Sequence, residues 1–486
     1  DEEGNQTETY PDLDPNKHLE DTGLELSIPL DGSKLNSKIW RTVIHGHDGH
    51  EVPVYFLDTR HTSNNERHIS LSDRLYAGGD EMRVRQEYLL GVGGIRALKI
   101  LGHWPLRGLH LNEGHCSMAA LEMMRQGWSR EEVSSRVLFT THTPVAAGHD
   151  RFEWGLVEGV VEDLIGPDEK EIANDGNQCS MSHLGIGMAG SVNAVSVLNA
   201  EVASEMFPEA DISPITNGVH HPTWISPTMA RLYDEELEGW RSNGDLLLKA
   251  GSLSETGLER ARSESRAVLR ELVSSMTGVN LDGNRLTIGF ARRFATYKRA
   301  SLVFRDISRL NQIGSGQIQF VFSGKAHPKD EGGKALIKEI FDASKRLEDI
   351  PVAFLEDYSM ATGLAMTSGV DVWLNTPVRP MEASGTSGMK AVMNGVPNLS
   401  ILDGWWPEAC NHGVNGWGIG NKEDSRDDDR DANALYDLLR DEVLPAWKSS
   451  RDRWLSMMRA AIVAGSAFTG QRMIREYRDI YETFGI

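Results

Sequence analysis

Five short apolar runs decide the fold class: RLTIGFA (285–291), QIQFVFSG (317–324), IPVAFLED (350–357), VDVWLNTP (370–377) and NLSILDG (398–404). Longer amphipathic segments separate them. This alternation is typical of βαβ units and a parallel sheet. Open α/β sheets bind ligands at the carboxyl ends of their strands. We therefore expect functional residues directly after these runs.

A less regular version of the same alternation precedes them and predicts a second α/β domain. Its candidate strands are KIWRTVI (38–44), VPVYFLDT (52–59), LRGLHLNEGH (106–115), SRVLFTTHTP (135–144) and DISPITNG (211–218). The turn-rich segment 274–285 interrupts the periodicity, so we place a domain boundary there. The prediction is one domain over 1–280 and another over 281–486, the latter ending in helices from Ala432 onward.

Composition excludes several classes of protein. The 486 residues include 50 Lys and Arg against 71 Asp and Glu, a net charge of -21, so a nucleic-acid-binding surface is not expected and any anion site must be local. Three cysteines without CxxC spacing argue against disulfides and structural zinc and favour the cytoplasm. No apolar run approaches the roughly 20 residues of a membrane span, so no membrane association is expected.

The segment EASGTSGMK, Glu382 to Lys390, follows a predicted strand and precedes a predicted helix. Its small residues could let backbone N–H groups converge on an anion at the helix N-terminus. An ordinary loop with a Ser or Thr N-cap is an equal alternative. The helix dipole disfavours a cation in the first turn. Lys390 therefore indicates either an anionic neighbour or neutralisation as a Schiff base.

The segment ARRFATYKRA places four cations directly after the strand RLTIGFA: Arg292, Arg293, Lys298 and Arg299. In so acidic a chain, this cluster favours a pocket for one or two phosphates over a solvated basic face. Lys325, after the next strand, would add a further cation. An acidic run over 423–431 has few apolar residues and predicts a solvated loop.

A third polar group lies in the first half, in LNEGH, THTP and AGHDRF. Its histidines do not have a recognised metal-ligand spacing, so we expect no metal, and the donors and acceptors would equally suit sugar hydroxyls. His149 is the clearest candidate for a purely structural histidine. Trp405, Trp406 and Trp417 could stack on sugars or pack in the core. GVGGIR (91–96) follows an apparent helix and is rejected as a dinucleotide loop.

Together, EASGTSGMK, ARRFATYKR, LNEGH, THTP and ITNGVH resemble the α-glucan (glycogen, starch, maltodextrin) phosphorylase family, in its shorter bacterial and archaeal branch. The five motifs occur in the family's order, and the resemblance runs from about Tyr10 to near the C-terminus. It implies two Rossmann-like domains facing each other across a cleft, the glycosyltransferase B-type fold. The first would be the glucan-binding domain and the second the cofactor- and phosphate-binding domain.

The resemblance also assigns roles. The catalytic set would be Arg293, Lys298 and His142, with the first two holding the substrate phosphate. Pyridoxal 5'-phosphate would be carried by Lys390, and its other contacts would be Thr386, Ser387, Arg292 and Tyr358. Substrate would be bound by Glu382, Ser384, Gly385, Asn217, Tyr297, Glu113 and His115. No metal is implied.

The implied activity is an α-1,4-glucan phosphorylase that releases glucose 1-phosphate with retained configuration, using the cofactor phosphate as a proton relay. Its partners would be the glucan and inorganic phosphate, with a homo-oligomer left open and allosteric control not expected. The chain departs from the family pattern at Ser359, where long members have an arginine, and at Glu113, where they have an aspartate. A glycine-rich loop that family members place upstream is absent, so we expect a truncated first domain.

Two alternatives remain open from the sequence. A nucleotide-sugar glucosyltransferase would share this architecture, since fold does not fix function. An inactive, truncated glucan-binding relic would bind glucan without phosphate-dependent turnover.

Overall fold

The computed structural model describes residues 1, 3–11, 13–75, 78–161, 163–421, 426–449 and 451–484. The chain forms two compact units, each treated by itself below. The N-terminal unit comprises Pro11–Val195, Asn199–Ile215 and Glu476–Ile486. The C-terminal unit comprises Asp1–Tyr10, Ser196–Leu198 and Thr216–Arg475.

The N-terminal unit begins with an antiparallel sheet of three strands, β1 (Glu20–Leu30), β2 (Ser33–His45) and β3 (Glu51–Asp58), paired in the order β1-β2-β3. The predicted runs at 38–44 and 52–59 are therefore strands, but their assignment to a βαβ alternation is wrong. Residues 46–50 connect them, and a parallel pair needs a crossover of a dozen or more residues.

A parallel four-stranded sheet follows, in the order β10-β9-β5-β4. Its strands are β4 (Leu109–Asn112), β5 (Val137–Thr141), β9 (Ser191–Ala194) and β10 (Ile212–Pro214), and a small antiparallel sheet consists of β6 (Arg151–Glu153), β7 (Asn174–Asp175) and β8 (Gln178–Ser180). The helices are α1 (Glu66–Ile69), α2 (Asp80–Tyr88), α3 (Gly94–Ile100), α4 (Met118–Arg125), α5 (Arg130–Ser134), α6 (Trp154–Val161), α7 (Pro167–Ala173), α8 (Met181–Met188) and α9 (Val197–Met206). GVGGIR follows helical residues, as predicted, and itself lies in helical structure.

The C-terminal unit contains a six-stranded parallel sheet in the order β13-β12-β11-β14-β15-β16. The strands are β11 (Leu286–Ala291), β12 (Ile318–Ser323), β13 (Val352–Leu355), β14 (Val372–Asn375), β15 (Asn398–Ile401) and β16 (Gly416–Ile419). All five runs that decided the fold class are strands, which confirms the α/β prediction. β16 was missed because two of its four residues are glycine, a residue depleted in strands.

Helices cover both faces of this sheet. Phe320 and Phe322 belong to one apolar cluster, while Val321 between them belongs to another, so alternate residues of β12 are buried on opposite faces. The helices of this unit are α10 (His221–Trp224), α11 (Pro227–Glu236), α12 (Glu255–Thr277), α13 (Ile307–Gly314), α14 (Glu331–Ser344), α15 (Met360–Gly369), α16 (Thr386–Val392), α17 (Trp406–Ala409), α18 (Asp428–Leu438), α19 (Leu444–Lys448) and α20 (Arg451–Gly465), while α21 (Gly470–Tyr481) begins in this unit and ends in the N-terminal unit. None of the helices in the described ranges is long and apolar enough to cross a lipid bilayer.

The strand order reverses at β11, which pairs with β12 on one side and β14 on the other. Such a reversal is a topological switch point, where the loops after the two neighbouring strands diverge and leave a crevice. The loops after β11 and β14 carry ARRFATYKRA and EASGTSGMK. The fold therefore brings the two strongest sequence motifs to one edge of the sheet.

The boundary predicted near residue 280 differs from the observed division, which falls at 215/216 in this part of the chain. Helix α12 belongs to the C-terminal unit because Leu269 and Val273 share an apolar cluster with Val321 of β12. The turn-rich segment is the C-terminal end of α12 and its connection to β11. Gly278 caps the helix with a φ of 71°, in the left-handed region that favours glycine.

A buried charge network also fixes α12. The Arg262 guanidinium donates to the carbonyl oxygens of Ser368 and Val370 and lies 4.0 Å from Asp371. The second cation beside Asp371 is Arg266, at 3.0 Å. We expect Arg262→Ala to lower the free energy of unfolding by about 3–5 kcal/mol, because the Asp371 carboxylate would stay buried with one cation in place of two. Denaturant unfolding would measure this loss. Arg260→Ala, on the exposed side of α12, is the control, and an equally small effect of both would contradict the prediction.

Candidate active site at the switch point of the C-terminal sheet

A buried ion cluster lies where the loops after β11 and β14 meet. The Glu382 carboxylate is 2.6 Å from Arg292 and 2.9 and 3.0 Å from the Lys298 ammonium. Burial opposes ionisation of Glu382, but the two cations outweigh it and hold its pKa below the ordinary value. The predicted cation motif and the first residue of EASGTSGMK are thus in direct contact.

Each cation of this cluster is held by its own loop. Arg292 follows the last residue of β11 and donates to the side chain of Asn375, the last residue of β14. Its Nε is buried and has no hydrogen-bond partner among the described residues. Lys298 ends a 3-10 turn and lies 4.7 Å from the ring centroid of Tyr297. The Tyr297 carbonyl accepts from the backbone N–H of Val378, which joins the two loops.

The other two arginines of the motif differ in their exposure and in their contacts. Arg293 is exposed, and within the described ranges no acidic side chain pairs with it. Arg299 is buried and donates to the carbonyls of Thr376 and Pro377 and to the carboxylates of Asp428 and Asp431. The prediction that Arg299 belongs to the anion pocket is wrong, because all of these contacts are structural.

The contacts of Arg299 also bear on the prediction made for the acidic run 423–431. Residues 423–425 of it lie outside the described residues, but α18 begins at Asp428. Asp431 is buried against Arg299. The solvated-loop prediction is wrong for this part of the run, because a buried guanidinium supplies partners for its carboxylates.

The turn after β15 fixes the backbone of EASGTSGMK. The Asp403 carboxylate accepts from the backbone N–H groups of Glu382 at 3.0 Å and Gly404 at 2.8 Å. The Trp405 N–H donates to the Ser384 carbonyl at 2.9 Å. Burial raises the pKa of Asp403 to about 7. Sequence analysis missed Asp403, although its place after a strand end was a signal.

The helix after this loop, α16, begins at Thr386, with Gly385 as its cap residue at a φ of 83°. No side chain caps it, so the Ser or Thr N-cap alternative is wrong. The Ser384 hydroxyl is buried and finds no hydrogen-bond partner in the described part of the chain. The Ser387 hydroxyl accepts from the indole N–H of Trp373 at 3.2 Å. These two hydroxyls can still donate to a ligand.

Lys390 lies in the last turn of α16, so the prediction that it lies in the first turn is wrong, and its ammonium is 3.5 Å from the ring centroid of Trp224. Burial lowers the pKa of Lys390 to about 8. Within the described residues no carboxylate pairs with it, so the described part of the chain supplies no anionic neighbour of its own. Trp224 was missed, and the only signal for it was its position seven residues after Asn217 of ITNG.

Three other predicted residues belong to the C-terminal unit. Tyr358 is half-buried beside the apolar cluster that contains Trp373, and burial raises its pKa. The backbone carbonyl of Asn217 accepts from Arg472 at 3.1 Å. Lys325 is largely exposed and lies 3.6 Å from Asp357. The proposed ligand contacts of Tyr358 and Asn217 stay predictions.

In the N-terminal unit, Glu113 organises the end of β5. Its carboxylate accepts from the backbone N–H of His142 and from the Thr141 hydroxyl at 3.3 Å. Burial lowers the pKa of His142, although the Glu113 charge opposes this. Glu113 therefore holds the backbone that presents His142 as a neutral imidazole.

His115 belongs to a mixed-charge group beside it. Its Nδ1 lies 3.2 Å from Asp150 and 4.0 Å from Glu87. Ligand atoms of these three residues lie within 4.8 Å of one another, a spacing that could hold a metal ion. Arg83, however, contacts both carboxylates and already supplies a positive charge there. The absence of a metal stays a prediction.

The remaining candidates are core residues. His149 is buried, with its ring nitrogens bonded to the Ser182 hydroxyl and the Thr143 carbonyl, as expected for a structural histidine. Of the two alternatives for the tryptophans, core packing is the one observed. Their exposed fractions are too small for stacking on a sugar: Trp405 2%, Trp406 0% and Trp417 1%.

Comparison with known proteins agrees with this geometry. A family model described as carbohydrate phosphorylase matches residues 167–411. The glycogen phosphorylase of Aquifex aeolicus is 37% identical over 88% of this chain and 70% of that protein. The chain belongs to the carbohydrate phosphorylase family.

Two further relatives extend the match to almost the whole chain. The maltodextrin phosphorylase of Thermococcus litoralis is 36% identical over 99% of this chain and 63% of its own length. The glycogen phosphorylase of Mycobacterium tuberculosis is 35% identical over 99% of this chain and 64% of its own length. The chain thus spans less than two thirds of these two carbohydrate phosphorylases.

Proposed function

We propose that the chain is an α-1,4-glucan phosphorylase, a glycosyltransferase that binds pyridoxal 5'-phosphate at Lys390. The observation that carries the proposal is the Lys390 amine, which has a pKa of about 8 and no carboxylate partner among the described residues. It lies on the helix that follows the Glu382 cluster. The names of the relatives support glycogen or maltodextrin as substrate.

The residues around Lys390 fit the cofactor. A lysine with a lowered pKa is a nucleophile suited to a carbonyl group. The Trp224 ring offers an apolar face beside it. The Ser384 and Ser387 hydroxyls have a proton to donate, and Thr386 begins the same helix. Arg292 and Tyr358 are proposed as further contacts.

Pyridoxal phosphate, when bound, supplies a phosphate group that acts as an acid toward the substrate phosphate. The chain's own residues would hold the reactants. Arg293 and Lys298 would bind the substrate phosphate, whose charge stabilises a positively charged transition state. Glu382 would orient a sugar hydroxyl, with Ser384, Gly385, Asn217 and Tyr297 beside it.

In the N-terminal unit, a neutral His142 would hydrogen-bond to a sugar hydroxyl, and Glu113 and His115 would complete the polar surface. We further propose that the two units are the Rossmann-like halves of a glycosyltransferase B-type fold. Cytoplasmic location is proposed from the three free cysteines.

Phosphorolysis tests the proposal. Purified chain, loaded with pyridoxal phosphate, should release glucose 1-phosphate from maltodextrin only when inorganic phosphate is present. Glucose transfer from ADP-glucose or UDP-glucose without the cofactor would instead support the glucosyltransferase alternative. Glucan binding by the loaded chain without any turnover would support the relic.

A further inference from the structure

The Glu382 carboxylate lies where another anion would lie if it contacted Lys298 and Arg292. Both carboxylate oxygens lie within 3.0 Å of the Lys298 ammonium, and one lies 2.6 Å from Arg292. Glu382 is 6% exposed and Lys298 8%. Lys298, proposed for the substrate phosphate, and Arg292, proposed for the cofactor, are thus already paired with an anion of the chain itself.

We propose that Glu382 is an internal competitor of phosphate: phosphate binds by taking Lys298 from the Glu382 carboxylate, which keeps Arg292 as its other partner. The proposal rests on the proposed function, because that function assigns the substrate phosphate to Lys298. It makes Glu382 a determinant of phosphate affinity in addition to its assigned contact with the sugar.

The position of the Glu382 charge favours the exchange. Both carboxylate oxygens lie within 3.0 Å of the Lys298 ammonium, so a phosphate contacting that ammonium would lie beside a second anion. Like charges held at short distance in a protein interior repel strongly. The carboxylate therefore has to move away from the Lys298 ammonium as the phosphate arrives.

Hydrogen bonds hold the backbone of this loop independently of the Glu382 side chain. The Glu382 N–H is held by Asp403, and the neighbouring Ser384 carbonyl by the Trp405 N–H. A rotation of the Glu382 side chain would therefore leave the loop in place. The released carboxylate becomes free to accept from a sugar hydroxyl, so phosphate binding should strengthen glucan binding, and the reverse.

Titration calorimetry with inorganic phosphate tests the proposal on the cofactor-loaded chain. Glu382→Gln should bind phosphate at least about tenfold more tightly than the wild type, since one nearby negative charge is gone. Its turnover should fall, because the contact with the sugar is weakened. Glu339→Gln, which removes an exposed charge from α14 of the same unit, is the control and should change phosphate affinity less than twofold.

Unchanged or weaker phosphate binding by folded Glu382→Gln would overturn the proposal. If that variant does not fold, Glu382→Ala decides, because it also removes the carboxylate. Tighter phosphate binding is again expected, and no change overturns the proposal. If the wild type catalyses phosphorolysis and the variants bind phosphate no more tightly than it does, only this inference is refuted. Absence of phosphate binding, cofactor adduct and phosphorolysis in all proteins refutes the proposed function as well.

Discussion

Lys390→Ala will form no borohydride-stable adduct with pyridoxal phosphate, whereas the wild-type chain will carry one, and peptide mapping will place it on Lys390. The reason is that Lys390 combines a lowered pKa with the absence of a carboxylate partner in the described ranges. The loss of label should be essentially complete. Absorbance spectra before and after borohydride reduction, followed by mass spectrometry of peptides, would measure it.

The pH dependence gives this test a second readout. A lysine attacks a carbonyl only as the neutral amine, and burial disfavours its charged form. With a pKa of about 8, the rate of adduct formation should rise with pH and level off above that value. At pH 7 about a tenth of the Lys390 amines would be neutral, several hundredfold more than for an ordinary lysine.

Lys338→Ala is the matched control, because Lys338 is exposed on α14. It should keep the label and the same pH profile. Labelling of several surface lysines in place of Lys390, or a rate that still rises steeply near pH 10, would show that Lys390 has no special reactivity.

The α/β class could be predicted from the sequence because β11, β12, β14 and β15 are buried on both faces and, like β13, consist of short apolar runs. The antiparallel pairing of β2 and β3 could not, since a strand's own residues do not state which neighbour it pairs with. The domain boundary was misplaced for a related reason. The turn signal at Gly278 marks the end of a helix, and only the packing of Leu269 and Val273 shows which unit that helix joins.

The candidate site was predicted as two motifs, and the structure supplies their pairing. The strand order places the loops after β11 and β14 side by side. This is why Arg292 and Lys298 contact Glu382. Asp403 and Trp224 were missed because their roles depend on a backbone contact and a ring contact with residues far along the chain. Arg299 was misassigned because a cation in a motif has the same sequence signal whether it binds a ligand or a carbonyl.

Arg293 should carry the second large effect. Arg293→Ala is expected to raise the KM for phosphate about ten- to hundredfold, the loss of one charge-assisted hydrogen bond to an anion. Its free energy of unfolding should change little, because Arg293 is exposed and makes no ion pair with any described residue. Initial rates of glucose 1-phosphate release at varied phosphate, and denaturant unfolding, would measure the two quantities.

Arg305→Ala separates a local contact from a general loss of positive charge. Arg305 lies in the same unit, is exposed, and pairs with the exposed carboxylate of Asp429. Its replacement should leave the KM for phosphate within about twofold, since exposed ion pairs contribute little and their field is screened by salt. Equal effects of the two variants would mean that Arg293 acts through the net charge of the unit. A KM unchanged by Arg293→Ala would leave Lys298 as the cation that holds phosphate, and would make the Glu382 carboxylate the main control on its availability.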